Sequence, residues 1–207
     1  MTDAEVEREV VGLLLAAGAG LRLGKGMSKA LVTDTEGRSW LERSVEALRD
    51  GGVSRVFVVV GADAPAVRAA TPAGCSTVDA PDWEHGMGAS LRSGVSAVSL
   101  NSPDAEALVV MLVDTPGVTG EVVRRLVERA APDALLRAVY GGVPGHPVLL
   151  GREHWPGALE TASGDRGARD YLQRGSVVLV ECGDIGSGTD VDTAEALGEW
   201  LRMGNPD

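Results

Sequence analysis

The chain has 207 residues, 44% of them hydrophobic, and a formal net charge of −11. Length and composition fit one sizeable globular core and exclude a disordered chain, while the acidic excess argues against a nucleic-acid partner or a membrane-surface anchor, because phosphates would be repelled overall. Cys75 and Cys182 are the only cysteines, too few and too far apart for a disulfide framework or a zinc site; with acidic, polar opening residues and no apolar run of membrane-spanning length, the expectation is a cytoplasmic protein.

An unbroken apolar run, Val10 to Leu15, reads as a strand covered on both faces. It ends in a loop where Gly18, Gly20, Gly24 and Gly26 allow close backbone approach and Arg22, Lys25 and Lys29 supply positive charge, a combination suited to phosphate. The loop is neither of the familiar glycine fingerprints. Leu23 stands where the dinucleotide pattern needs its third glycine, and the Walker spacing fails as well. Composition alone leaves open an ordinary strand-to-helix corner.

A helix is predicted from Ser39 to Arg49, with a Ser39/Glu42 capping box, Leu41, Val45 and Leu48 on one face, and Gly51 and Gly52 as its stop. Arg55 to Val60 is a second buried strand, followed by a short helix over Pro65 to Ala70 and a weak strand at Ser76 to Asp79. The stretch from Asp82 to Val98 passes from loop to helix, with Leu91, Val95 and Val98 at helical spacing. Ala107 to Val113 is the next buried strand, ending at Asp114. Thr119 can cap a helix over Gly120 to Ala131. Strand, turn and strand follow, then two helical stretches around GDRGAR, a late strand in SVVLVE and a closing helix from Thr193 to Met203. This alternation predicts a single α/β domain over residues 1–207, a doubly wound, mostly parallel sheet whose ligand crevice lies at the carboxyl ends of its strands.

Three candidate positions for chemistry stand out. Asp114, ending a strand at the sheet edge that bears the glycine loop, suits a Mg²⁺ ligand, since that ion takes one or two protein carboxylates and leaves its other positions to water and phosphate; an Asx-turn role is the alternative. Asp192 is either a second carboxylate of that kind or the N-cap of the last helix, with Glu195 following. Ser90 offers a hydroxyl at a helix start, either for a ligand or for the helix alone. His85, His146 and His154 lack the spacing of helical zinc ligands, and Ser90 has neither a nucleophile-elbow context nor a base partner. Trp83, Trp155 and Trp200 read as core or surface anchors.

Taken in order, LLLAAGAGLRLG, SKAL, PDWEHGMGASL, LVVMLVDTP, GHPVLL, GDRGAR and DVDT resemble the molybdenum cofactor cytidylyltransferase branch of the MobA-like nucleotidyltransferases, from about Val10 to Leu201. The resemblance implies a Rossmann-like fold that uses Mg²⁺ to join a nucleoside monophosphate to a phosphorylated acceptor, here the terminal phosphate of molybdopterin, with release of pyrophosphate. It further implies that Ala16, Ala17, Gly18, Gly20 and Arg22 hold the nucleotide and its phosphates and that Lys29 neutralises their charge. Asp114 is then the principal metal ligand and Asp192 a second. Gly86 and Ser90 fall at the nucleoside, His146 and Asp165 on the acceptor side.

A molybdenum enzyme or its maturation factor is the protein partner such an activity implies. Ala17, where guanylyl-transferring relatives carry glycine, favours CTP over GTP. The sequence departs from the family pattern in the longer spacing from Arg22 to Lys29, in Val113 and Thr115 around Asp114, and in Ala194 after Asp192 and Thr193. Two other readings fit the same residues: a sugar-phosphate or other small alcohol-phosphate nucleotidyltransferase, and a non-catalytic nucleotide-binding module.

Overall fold

The structure, a computed structural model, describes residues 9–20 and 27–203. Seven strands form one sheet: β1 (Val10–Leu15), β2 (Arg55–Val60), β3 (Ser76–Asp79), β4 (Ala107–Leu112), β5 (Leu135–Tyr140), β6 (Val143–Gly151) and β7 (Val178–Glu181). Their order is β3-β2-β1-β4-β6-β5-β7. Strands β3, β2, β1 and β4 run parallel, β6 runs antiparallel to both β4 and β5, and β7 runs parallel to β5. The sheet is therefore mostly parallel, as the alternating pattern predicts, with the tight hairpin Gly141–Gly142 supplying the one reversed strand.

Helices cover both faces because successive strand side chains point to opposite sides. In β1, Val10 and Leu14 join one apolar cluster and Val11, Leu13 and Leu15 the other. Helix α1 (Trp40–Asp50) packs Trp40, Leu41, Val45 and Leu48 into the first cluster, together with Val67 of α2 (Ala64–Ala70) and Val122, Val123 and Leu126 of α4 (Gly120–Val127). The opposite face is covered by α3 (Met87–Asn101), α5 (Trp155–Thr161) and α6 (Arg169–Arg174), through Leu91, Val95 and Val98, Trp155 and Ala158, and Leu172. The last helix, α7 (Ala194–Met203), returns to the first face, where Trp200 meets the ring of Trp40 edge-on.

The capping box at α1 is present in full. The Ser39 hydroxyl accepts from the Glu42 amide at 3.1 Å, and the Glu42 carboxylate accepts from the Ser39 amide at 2.7 Å. Trp155 and Trp200 are buried anchors, the former donating its indole N–H to the Leu150 carbonyl; Trp83 is only partly buried.

Three boundaries differ from the sequence expectation. Helix α4 stops at Val127 instead of reaching Ala131, because Arg129 and Ala130 close onto Leu126 and Val127 in tightened turns and Pro132 forbids continuation. Strand β4 stops at Leu112, where the Thr115 hydroxyl and amide both turn back to the Leu112 carbonyl. The cap of α7 is Thr193, whose Oγ1 accepts from the Ala196 amide at 3.1 Å, so the N-cap role expected of Asp192 belongs to its neighbour. Among the described residues, no helix is long and apolar enough to cross a membrane.

Candidate active site

Leu15 at the end of β1 pairs with Leu112 at the end of β4. The glycine loop and the Asp114 turn therefore leave the sheet side by side at its carboxyl edge. A cavity of about 450 Å³ opens there, with Ala17, Gly18 and Gly20 from the loop on one side and Gly86, Met87 and Ser90 from the start of α3 on another. Lys29, Asp114, Asp165 and Asp192 face the same space, and Trp83 forms part of its wall.

The end of α3 is held close by a glycine requirement. Gly86 has φ of 95°, and a Cβ on it would lie 2.6 Å from Oδ1 of Asp165, so a side chain there would push away the 164–166 turn. Gly20, with φ of 62°, plays the corresponding role for the loop, since a Cβ would meet the Met27 carbonyl at 3.0 Å and the Lys29 amide at 3.2 Å. These two glycines let the glycine loop and the start of α3 close onto Lys29 and Asp165.

Lys29 is placed from two directions. The amide of the preceding residue, the fully buried Ser28, donates to the Asp63 carboxylate at 2.8 Å. Asp63 is the one non-glycine residue with positive φ among the described residues. From the other side, the ammonium sits 2.6 Å from Oδ2 of Asp114 and also bonds Oδ1 of Asp192. Burial alone would push the Lys29 pKa down, but the charges of Asp114 and Asp192 and the bonds to them outweigh it and hold the group above the ordinary lysine range.

Asp192 reaches Asp114 because the Val191 amide donates to the Asp114 carbonyl at 2.9 Å, which pins the 190–192 segment across the end of β4. Asp190 belongs to the same group. Burial first, then the nearby charges of Asp114 and Asp192, push its carboxyl up to about 6, against the opposing effect of Lys29.

The fit of a divalent cation can be judged from Asp114. Its Oδ1 is buried with no hydrogen-bond partner among the described residues, a costly state for a carboxylate oxygen. An Asx-turn would have used that oxygen on a backbone amide. Two oxygen donors on separate segments, one of them unsatisfied, suit a hard cation that takes one or two protein carboxylates. No cluster of three or more metal-ligating side chains occurs among the described residues, so water and ligand would complete the sphere.

Not every sequence-predicted residue meets here. Ala16 does not line the cavity; its side chain is wholly buried in the first apolar cluster, below the loop. His146 lines a neighbouring cavity of about 290 Å³, which shares Leu15, Met87, Leu112 and Asp165 with the first. Burial, then the charges of Arg137 and Arg169, push its pKa down to about 4, so the ring is neutral at physiological pH. Arg22 lies outside the described residues, as do Lys25 and the glycines beside it.

Residues 12–178 match the MobA-like NTP transferase domain. The chain is 37% identical over 198 residues to nicotine blue oxidoreductase of Paenarthrobacter nicotinovorans, covering 91% of this chain and 94% of that protein. It is 38% identical over 129 residues to the 2-C-methyl-D-erythritol 4-phosphate cytidylyltransferase of Saccharopolyspora erythraea, covering 59% of this chain and 57% of that one. Rv0371c from Mycobacterium tuberculosis H37Rv has a similar structure, with a TM-score of 0.79 at 28% identity over 94% of this chain and 98% of that one. The manganese complex of Rv0371c gives a TM-score of 0.75 at 26% identity, with the same coverage. The sheet, the edge at which the cavity opens and these matches agree, and the chain belongs to the MobA-like NTP transferase family.

Proposed function

We propose that residues 1–207 act as one domain, a cytoplasmic, metal-dependent nucleotidyltransferase that moves a nucleoside monophosphate from a triphosphate to a phosphorylated acceptor of the molybdopterin class. The observation that carries this reading is the ammonium of Lys29 between Asp114 and Asp192, beside a glycine loop at the carboxyl edge of the sheet. An acceptor phosphate oxygen forms a bond to the α-phosphorus as the bond to the departing pyrophosphate breaks in line. Catalysis of that kind rests on positioning and charge stabilisation and requires no protein nucleophile. Lys29 and Arg22 stabilise the charge on the phosphates, the backbone of Gly18 and Gly20 approaches them, and Gly86 and Ser90 border the nucleoside. A divalent cation, Mg²⁺ by preference, held by Asp114 and Asp192 would supply further charge neutralisation; the manganese complex of the Rv0371c protein supports such a site. A molybdenum enzyme or its maturation factor would receive the product.

CTP is the favoured donor. Ala17 is one of the residues lining the cavity, and in a packed pocket a methyl is worth roughly 1–3 kcal/mol of discrimination against a larger base. The experiment is pyrophosphate release with each nucleoside triphosphate, with and without molybdopterin. Release that requires molybdopterin and is fastest with CTP is the expected result, and a higher kcat/KM for GTP would overturn the base assignment. Ala17→Gly should raise the relative use of GTP.

A redox reading has one specific observation in its favour, the near full-length similarity to nicotine blue oxidoreductase. Oxidation of a reduced nicotinamide dinucleotide by a dye acceptor, with no pyrophosphate released from any triphosphate, would decide for it.

A further inference from the structure

The second cavity is polarised. Asp190, at one end, interacts with Asp114, Asp192 and Lys29 of the first cavity. Arg137 on β5 and Arg169 at the start of α6 line it as well. Arg137 donates Nε to the Gly145 carbonyl at 3.0 Å and Nη2 to the Pro144 carbonyl at 3.4 Å, which aims the guanidinium along the wall without neutralising it. Neither arginine has a carboxylate within ion-pair distance among the described residues, whereas the adjacent Arg166 pairs with Asp170 at 3.5 Å. Burial, with the nearby charge of Arg169 adding to it, holds Arg137 below the usual arginine range, so the two cations share one wall at a cost. In a chain with 30 acidic and 19 basic residues, acids were plentiful to pair them. Two unneutralised guanidiniums on a cavity wall suit an oxyanion, because each presents a fork of donors matched to a pair of carboxylate or phosphate oxygens. The lining also includes the apolar Leu15, Leu112, Val110 and Leu150, and the carboxylate Asp165.

We propose that the second cavity binds an oxyanionic group of the acceptor, remote from the reacting phosphate, through Arg137 and Arg169. This rests on the transferase reading for the identity of the ligand. The acceptor is then a molecule with two polar ends: a reacting oxygen toward Asp114 and Lys29, an apolar body over Leu15 and Leu112, and an anion at the arginines.

The test uses the whole chain loaded with a non-hydrolysable CTP analogue and Mg²⁺, which fills the first cavity. Inorganic phosphate and, separately, acetate are titrated while the side-chain Nε–H signal of Arg137 is followed by NMR. A saturable shift is expected, weakened by about ten- to a hundredfold in Arg169→Gln, from the usual strength of a hydrogen bond to a charged group. Arg169 is exposed at the start of α6, so Arg169→Gln is expected to fold as the parent does, which its melting temperature checks. The anion that binds tighter assigns phosphate or carboxylate. No saturable shift with either anion, or the same affinity in Arg169→Gln, overturns the proposal. Failure of the transferase reading looks different: the nucleotide analogue does not bind, while an Arg169-dependent anion shift on the nucleotide-free protein still supports the site.

Discussion

Replacing Lys29 with Met removes the ammonium between Asp114 and Asp192 while keeping a side chain of similar length. The three side chains are 15%, 19% and 39% exposed. Two unit charges about 4 Å apart at an effective dielectric of about 20 interact by about 4 kcal/mol. Burial of Lys29 opposes that gain, and the Asp192 share is largely screened by its exposure, which leaves a net loss on the order of 1–3 kcal/mol in the variant. For a chain of this size that corresponds to a fall on the order of 5 °C in Tm, measured with a chelator present. The raised Lys29 pKa makes this contribution fully present below the ordinary lysine pKa and lost only as pH climbs through the higher folded value, so the comparison holds across the neutral range. The variant faces two carboxylates with no ammonium between them, and the Asp114 Oδ1 atom still lacks a partner. Adding Mg²⁺ or Mn²⁺ should therefore raise Tm more in the variant than in the parent, by ligand linkage, even as pyrophosphate release falls. Equal melting in chelator and equal gains from metal would refute the idea that lysine and cation share the same two carboxylates.

Asp114→Asn breaks the same ion pair with Lys29 and should melt lower by a similar few degrees in chelator, while releasing pyrophosphate about a hundredfold more slowly or worse, because a neutral amide is a poor ligand for a hard cation; a near-normal rate would remove Asp114 from the chemistry. Asp63→Ala takes away the acceptor of the buried Ser28 amide at a left-handed backbone position, which should cost about 1–3 kcal/mol in urea unfolding and raise KM for nucleotide through the displaced Lys29. Asp63→Asn keeps an acceptor oxygen and should recover most of both. The lowered His146 pKa adds stability that is fully present above the ordinary histidine pKa near 6.5 and is lost as pH falls through about 4. His146→Gln should flatten that acid limb of the stability profile by on the order of 2 kcal/mol, allowing for the ring's partial exposure.

The fold was legible because its signals are local. Unbroken apolar runs gave β1, β2 and β4, and the Ser39/Glu42 pair gave the start of α1 within a residue. Two boundaries differ for local reasons: a turn in which Thr115 bonds back to the Leu112 carbonyl ends β4, and tightened turns before Pro132 end α4 at Val127. The site was legible only in part. Asp114 and Lys29 stand out by position, at a strand end and in a cationic loop. Asp63 does not, because nothing in its own neighbourhood shows that it caps a buried amide 35 residues away. Arg137 looks like an ordinary outward residue of a strand, and only the approach of α6 makes it one of a pair. Ala16 lies within the motif, but the alternation that continues from β1 sends its methyl into the core and away from the cavity.

Asp190 and Asp192 flank Val191, whose side chain is buried in the first apolar cluster. The Val191 amide, bonded to the Asp114 carbonyl, holds this segment at the end of β4. One backbone bond thus brings a third carboxylate near the two that flank Lys29; burial first, then the charges of Asp114 and Asp192, push the carboxyl of Asp190 up to about 6. A bare triphosphate approaching these acids would be repelled, in a chain whose overall charge repels it as well. On the proposed reading, the same crowding explains why a nucleotide would enter with a cation: divalent charge relieves the repulsion among the carboxylates and between them and the phosphates, and it frees the Lys29 ammonium for the phosphate oxygens.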